Sequence, residues 1–356
     1  MSEALGITFE ERDRAGIITL DRPTTLNALN REMFDALSAN YRRWAPAPQI
    51  YGVVMESTHP NVFCSGGDLK VLNAWNQEGA TEAIRDFYRA AYSHVWELEK
   101  FIRPNVPLIN GLAFGGGIGI SLLGTHCVAG EGYKFAMPQV GIGFLPDIGC
   151  TYFLPRLHGW TGTYLALTGA SIGPADAHRL RLVSHYIPSL YFGVIKDALA
   201  DNQPIDRLLD GLHRDPGEGE LVRHTPAINR IFSAPSVEEI LKRLDAEDGP
   251  EEEWAKETAA VLRKKSPTSL KIAFEQMQRG KALTLEEALK LEFRLMSHVV
   301  IRHDFREGID ARIAGKGRVA EWAPASVEEV DGNEIERLFE TPVSSELELE
   351  DLEPGV

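Results

Sequence analysis

The chain has 356 residues, and at about 150 residues per domain that is material for one large domain with an appendage, or for two. With 44% hydrophobic and 25% charged residues it has the composition of a globular protein with enough apolar side chains for a core. A formal charge of −15 argues against a nucleic-acid partner, which needs a basic footprint, but leaves small anionic ligands open because a local amide-rich or basic site can hold them.

Glu3, Glu10 and Glu11 stand where a signal peptide would carry positive charge, so the expectation is a cytoplasmic protein without a targeting segment. Gly16 to Leu20 (GIITL) reads as a strand, broken by Arg22-Pro23. From Asn30 to Trp44, the residues Met33, Phe34, Leu37, Tyr41 and Trp44 recur at helical spacing behind an Asn30 cap. Tyr51 to Met55 is a buried strand candidate. Ala83 to Ile102 is again helical, with Phe87, Ala91, Val95, Leu98 and Ile102 on one face. Val106 to Ile109 reads as a strand, followed by glycines and a helix-like ISLLG. Short strands with helices between them predict a layered α/β core.

The stretch from Asn105 to Gly130 contains no Asp, Glu, Lys or Arg and is long enough to span a bilayer. Its glycines at 111, 115, 116, 117, 119, 124 and 130, with Asn110, Ser121, Thr125 and His126, point instead to a buried glycine-rich core segment, and no membrane association is expected. Cys64, Cys127 and Cys150 are an odd, sparse set without CxxC spacing and are expected as reduced thiols. From about residue 206 the chain turns helical and charged, so residues 1–205 are taken as a core, 206–340 as a helical C-terminal region, and 341–356 as an acidic, disordered and solvated tail.

Several catalytic signatures fail. Gly115 to Ile120 lacks the last glycine of GxGxxG, Phe63 to Gly67 lacks the first glycine of GxSxG, and no metal-spaced Cys/His cluster occurs. His303 and Asp304 are neighbours whose side chains should diverge. Two glycine-rich turns remain, Cys64 to Asp68 and Phe114 to Gly119, each after a predicted strand. Their N–H groups could converge as an oxyanion hole, or the glycines could serve only tight turns and close packing. Asp147, between Pro146 and Ile148 in a segment without other charge, would have a raised pKa if buried and unpaired, which suits acid/base work. It could equally be a turn or cap aspartate.

Taken together, ITLDRPTTLNALN, VFCSGGDLK, INGLAFGGGIGISLLG, FAMPQVGIGFLPDIGCTYFLPRL, LEFRL and HDFREGIDARI resemble the crotonase (enoyl-CoA hydratase/isomerase) superfamily, over nearly all of residues 5–340. The long MP run and the HDF segment are similar to its 3-hydroxyisobutyryl-CoA hydrolase-like branch. The resemblance implies an α/β crotonase spiral of ββα units with a helical C-terminal region, assembled as a trimer or hexamer. It implies that the Gly67 and Gly116 amides hold the thioester carbonyl of an acyl-CoA. It further implies that Asp147 faces the acyl group, and that Arg22, Leu26, Ser65, Asp68 and Leu69 lie along the CoA moiety, with Lys70 nearby. No cofactor is expected beyond the CoA that is part of the substrate.

The departures bear on chemistry. Where that branch reads MPE, this chain reads Met137-Pro138-Gln139, and Gln139 cannot titrate but can orient water or the acyl group. A second acidic position of the branch falls on Ala91, and the hydratases' other glutamate falls on Gly119. Three readings follow: thioester hydrolysis using Asp147 and Gln139, a hydratase- or isomerase-type reaction run from Asp147 alone, or an acyl-CoA-binding pseudoenzyme.

Overall fold

The computed structural model describes residues 5–315 and 317–352. Among the described residues nine strands form two sheets: β1 (Ile7–Arg12), β2 (Ala15–Leu20), β3 (Gly52–Ser57), β4 (Val62–Cys64), β5 (Asn105–Ile109), β6 (Leu112–Phe114), β7 (Val128–Ala129), β8 (Lys134–Ala136) and β9 (His185–Tyr186). The larger sheet runs β1-β2-β3-β5-β7-β9, antiparallel between β1 and β2 and parallel thereafter; the smaller runs β4-β6-β8, all parallel. Each successive pair (β3/β4, β5/β6, β7/β8) sends its first strand to the larger sheet and its second to the smaller. This repeat is the spiral the resemblance implies.

Helix α1 (Arg31–Trp44) starts where Asn30 accepts a hydrogen bond from Met33 N at 2.9 Å, and all five residues of its predicted apolar face are buried. Helices α2 (Leu69–Gln77) and α3 (Thr81–Lys100) connect β4 to β5. The predicted α3 stripe ends one turn early: Phe101 takes the buried place at the helix end, and Ile102 is 83% exposed. The uncharged stretch 105–130 folds into β5, β6, the one-turn helix α4 (Gly116–Gly119) and β7, not into one long helix. No helix among the described residues is long and apolar enough to cross a membrane. The helix expected at ISLLG does not form; past α4 the chain turns, and Ser121 Oγ donates to Gly117 O at 2.7 Å. All three cysteines are buried free thiols.

The division expected near residue 205 falls inside packed structure. Ile205 and Leu209 of the helix Ile205–Leu212 cover Val54, Val106 and Val128 on the outer face of the larger sheet. A second apolar cluster runs from Ile7 to Leu352 and joins the strands to the helices Pro267–Arg279 and Leu285–Val299. The described part of the acidic stretch after Pro342, residues 343–352, forms no helix or strand, yet it is not a solvated tail. Leu347 and Leu352 are buried against the core, Arg89 donates to Glu346 O at 3.0 Å, and Trp96 Nε1 donates to Asp351 at 3.0 Å. The physical reason is the pair of leucines among the acids, which supplies an apolar face that charge counting overlooks.

Candidate active site

Two short strands of the smaller sheet each end in a glycine turn. After β4, Gly66 adopts φ +104°; after β6, Gly115 adopts φ +48°. These are conformations that residues with a Cβ rarely take, which is why glycine stands at both. The turns abut: a Cβ on Gly66 would lie 3.4 Å from the Gly116 nitrogen, and one on Gly116 would lie 3.4 Å from Gly66 Cα. The Gly66 turn is tied to the residues before α1, with Leu29 N donating to Gly66 O and Asp68 N to Leu29 O, both at 2.8 Å. Among the described residues neither the Gly67 nor the Gly116 N–H donates to a protein acceptor, and both residues are half-buried.

Gln139 opens the short 3-10 turn Gln139–Ile142 that follows β8, and it points at these glycines: a Cβ on Gly115 would be 3.6 Å from Gln139 Nε2. That amide nitrogen donates to Asp147 Oδ1 at 3.0 Å. Its partner Oε1 is buried without a hydrogen bond. The amide orientation follows from the carboxylate, which accepts and does not donate. Asp147 is 4% exposed, and its Oδ2 accepts from the Tyr92 phenol of α3 at 2.8 Å. Burial pushes the Asp147 carboxyl up to about 7, against the two hydrogen bonds, which favour its ionised form. No cation lies against it among the described ion pairs.

The loop carrying Asp147 is held from behind by the C-terminal helices. Gln276, on Pro267–Arg279, donates to Pro146 O and to Thr151 Oγ1, each at 2.8 Å. Glu292, on Leu285–Val299, accepts from Gly149 N and Thr151 N, also at 2.8 Å each. Burial pushes the Glu292 carboxyl up to about 8. Phe144 completes an apolar wall, stacked on Tyr88 at 5.0 Å and packed on Phe305 at 5.3 Å.

The residues expected along a CoA moiety form the rim beside the first glycine turn. Arg22 and Asp68 engage each other, Nη1 to Oδ2 at 2.6 Å, while Arg22 also donates to Ala28 O and Asp68 caps α2. Leu26 is 46% exposed, Ser65 N donates to Leu26 O, Leu69 is half-buried and Lys70 is exposed. Ala91 is buried on α3 one residue before Tyr92. Gly119 faces Ile148, whose Cβ and Cδ1 would each be 3.0 Å from an added Cβ, so no glutamate fits there without displacing Ile148. His303 and Asp304 diverge as expected: Asp304 is buried and accepts from Ser266 Oγ, while His303 Nε2 faces Glu321 O.

Sequence reasoning missed Tyr92, Gln276 and Glu292 as parts of this site. Tyr92 sits in an apolar stripe and reads as core. Glu292 carried a usable signal, since it is a carboxylate in phase with the buried Leu285, Leu289 and Met296. Among the described residues no three His, Cys, Asp or Glu side chains gather as a metal site. A cavity of about 560 Å³ lies apart from these residues, between Leu241, Leu262, Pro267 and Val327.

A family model described as enoyl-CoA hydratase/isomerase matches residues 15–339. The chain is 34% identical to the mitochondrial 3-hydroxyisobutyryl-CoA hydrolase of Rattus norvegicus, over 97% of this chain and 91% of that protein. It is 36% identical to the enzyme of that name from Xenopus tropicalis, over 94% and 89%. Among solved structures, a carnitinyl-CoA dehydratase from Mycobacterium thermoresistibile superposes with a TM-score of 0.90 at 30% identity, covering 97% of this chain and 99% of that one. An enoyl-CoA hydratase from Rhodobacter sphaeroides superposes at 0.89 with 33% identity, covering 97% and 100%. The chain belongs to the enoyl-CoA hydratase/isomerase family, the crotonase superfamily that its motifs resemble.

Proposed function

We propose that the protein is an acyl-CoA-processing enzyme that hydrolyses a CoA thioester of the 3-hydroxyisobutyryl-CoA type. The observation that carries this reading is the meeting of two unpartnered glycine amides with a buried carboxyl–carboxamide pair, Asp147 and Gln139. The thioester oxygen would accept from the Gly67 and Gly116 N–H groups, which also stabilise the oxyanion of the tetrahedral intermediate. Water attacks the carbonyl carbon, guided by the unsatisfied Gln139 Oε1, and gives its proton to Asp147. The C–S bond then breaks and the proton passes to the departing sulfur, giving free CoA and the carboxylic acid. A carboxyl that titrates near neutrality serves both transfers. Leu26, Ser65, Leu69 and the Arg22–Asp68 pair would flank the CoA moiety. The established names of the sequence relatives support the same substrate class.

The hydratase and dehydratase names of the two solved neighbours favour a second reading, addition, elimination or double-bond migration run from Asp147. The two-glutamate form of that chemistry has no carboxylate here, with glutamine at 139 and Ile148 filling the space beside Gly119. A thiol-reagent assay over an acyl-CoA panel separates the readings, using wild type, Asp147→Asn and Gln139→Glu. Hydrolysis predicts CoA release that Asp147→Asn abolishes; turnover without CoA release supports the second reading. Thermal stabilisation by acyl-CoA with no turnover would leave a binding protein.

A further inference from the structure

The α3 face turned to the site is almost wholly apolar. Ile84, Phe87, Ala91 and Val95 carry no polar side-chain atom, and Tyr88 makes no hydrogen bond to Asp147 among the described residues. Among the described residues the α3 side chain that hydrogen-bonds to Asp147 is Tyr92, its hydroxyl 2.8 Å from Oδ2. Its ring is fully buried and packs edge-on against Phe293 at 6.4 Å. Phe293 is in turn covered by the Arg89 guanidinium at 4.5 Å, which the C-terminal segment ties through Ser345 and Glu346. The hydroxyl therefore has little freedom to leave the carboxyl.

We infer that Tyr92 is the positioning residue of Asp147: it fixes Oδ2 while Gln139 fixes Oδ1, so the carboxyl presents one orientation to the glycine turns. This rests on Asp147 being the proton-carrying group proposed above. Burial holds the Tyr92 phenol well above its ordinary pKa, so it stays a donor across the working range and does not itself carry the proton. The groups facing Asp147 are Tyr88 and Tyr92 from α3, Gln139 from its turn, Glu292 from its helix and Cys150 behind the loop. None is a cation, so the two hydrogen bonds are the main favourable contacts of the ionised form, and losing one raises the titration midpoint.

The test is a carboxyl titration of the free protein by NMR, with aspartate ¹³C-labelled at Cγ and the Asp147 signal identified by its loss in Asp147→Asn. Tyr92→Phe is expected to raise the Asp147 midpoint by about one unit. Tyr88→Phe, the same loss of a buried hydroxyl beside it, is expected to leave the midpoint in place. If Tyr92→Phe misfolds, 3,5-difluorotyrosine in place of Tyr92 keeps the shape and strengthens the donor, and should lower the midpoint. An unmoved midpoint in folded Tyr92→Phe, or an equal rise in Tyr88→Phe, overturns the assignment. Because no substrate is present, a wild type that turns over no acyl-CoA would remove the functional proposal without touching this readout. Where turnover is found, the pH profile should move with the NMR midpoint, and kcat should fall about tenfold with KM changed less than about threefold.

Discussion

The Gln139 amide nitrogen donates to Asp147 Oδ1 at 3.0 Å and leaves its own oxygen buried and unbonded. A carboxylate at position 139 would change the electrostatics of the whole loop, because two carboxyls at this separation cannot both ionise in a buried setting. Glutamine lets Asp147 titrate alone, and its amide nitrogen bridges from that carboxyl toward the Gly115 turn.

Gln139→Glu is therefore expected to destabilise the protein at alkaline pH and not at acid pH. The folded variant would hold an extra proton through neutrality that the unfolded chain releases near pH 4, so stability falls as pH rises. At pH 8 the thermal midpoint should drop by about 4 °C or more, and at pH 5 it should match wild type within about 1 °C. Equal midpoint shifts at both pH values would contradict the contact.

Asp147→Asn should show the opposite sign. In wild type the folded carboxyl titrates at about 7, and the unfolded one near its ordinary 3.8. Folding thus takes up a proton between these values, so wild-type stability falls as pH rises from 4 to 7 and then levels. Asparagine does not titrate. The variant should gain on wild type by on the order of 2–4 kcal/mol at pH 8 relative to pH 4, measured by urea denaturation. A pH-independent difference would mean that Asp147 is ionised and well solvated. Under the proposed function the same substitution abolishes CoA release.

Much of the frame was legible in the sequence because periodicity reports burial. The α1 face, the β2, β3 and β5 strands and the charged C-terminal helices stand where their patterns put them. Strands of two or three residues, such as β4, β6, β7 and β8, are too short to show a period, so the second sheet that carries both glycine turns was invisible without the family resemblance. The loop containing Asp147 could be flagged by its lone charge. Its supports on Tyr92, Gln276 and Glu292 lie between 55 and 145 residues away in sequence, a distance no local pattern spans.

Gly119→Glu tests why one acidic position is empty. The added side chain meets Ile148 at its first carbon, and Ile148 follows Asp147 directly. Overpacking together with a buried unpaired charge should cost roughly 3 kcal/mol or more. Ile148→Ala alone should cost about 2–5 kcal/mol as a cavity. Combined, the two should cost less than their sum by at least about 1 kcal/mol, because each relieves the other. Strict additivity in denaturant melts would show that Ile148 is not what closes the position.

The C-terminal segment separates apolar from ionic docking. Leu347 is 1% exposed beneath residues whose acids reach Arg42, Arg294 and Trp96, and the Glu346 carbonyl among them accepts from Arg89. The Arg42–Glu350 pair is solvent-exposed and screened, so Glu350→Gln should change stability by less than about 0.5 kcal/mol. Leu347→Ala removes a buried side chain and should cost about 2–4 kcal/mol, with little dependence on salt. The loss should also reach α3, since Arg89, whose guanidinium covers Phe293, is tied to the carbonyl of Glu346. Amide hydrogen exchange around residues 88–96 should then speed up in Leu347→Ala. A variant as stable as wild type, with unchanged exchange in α3, would show that the segment rests on the surface without bracing the helix that carries Tyr92.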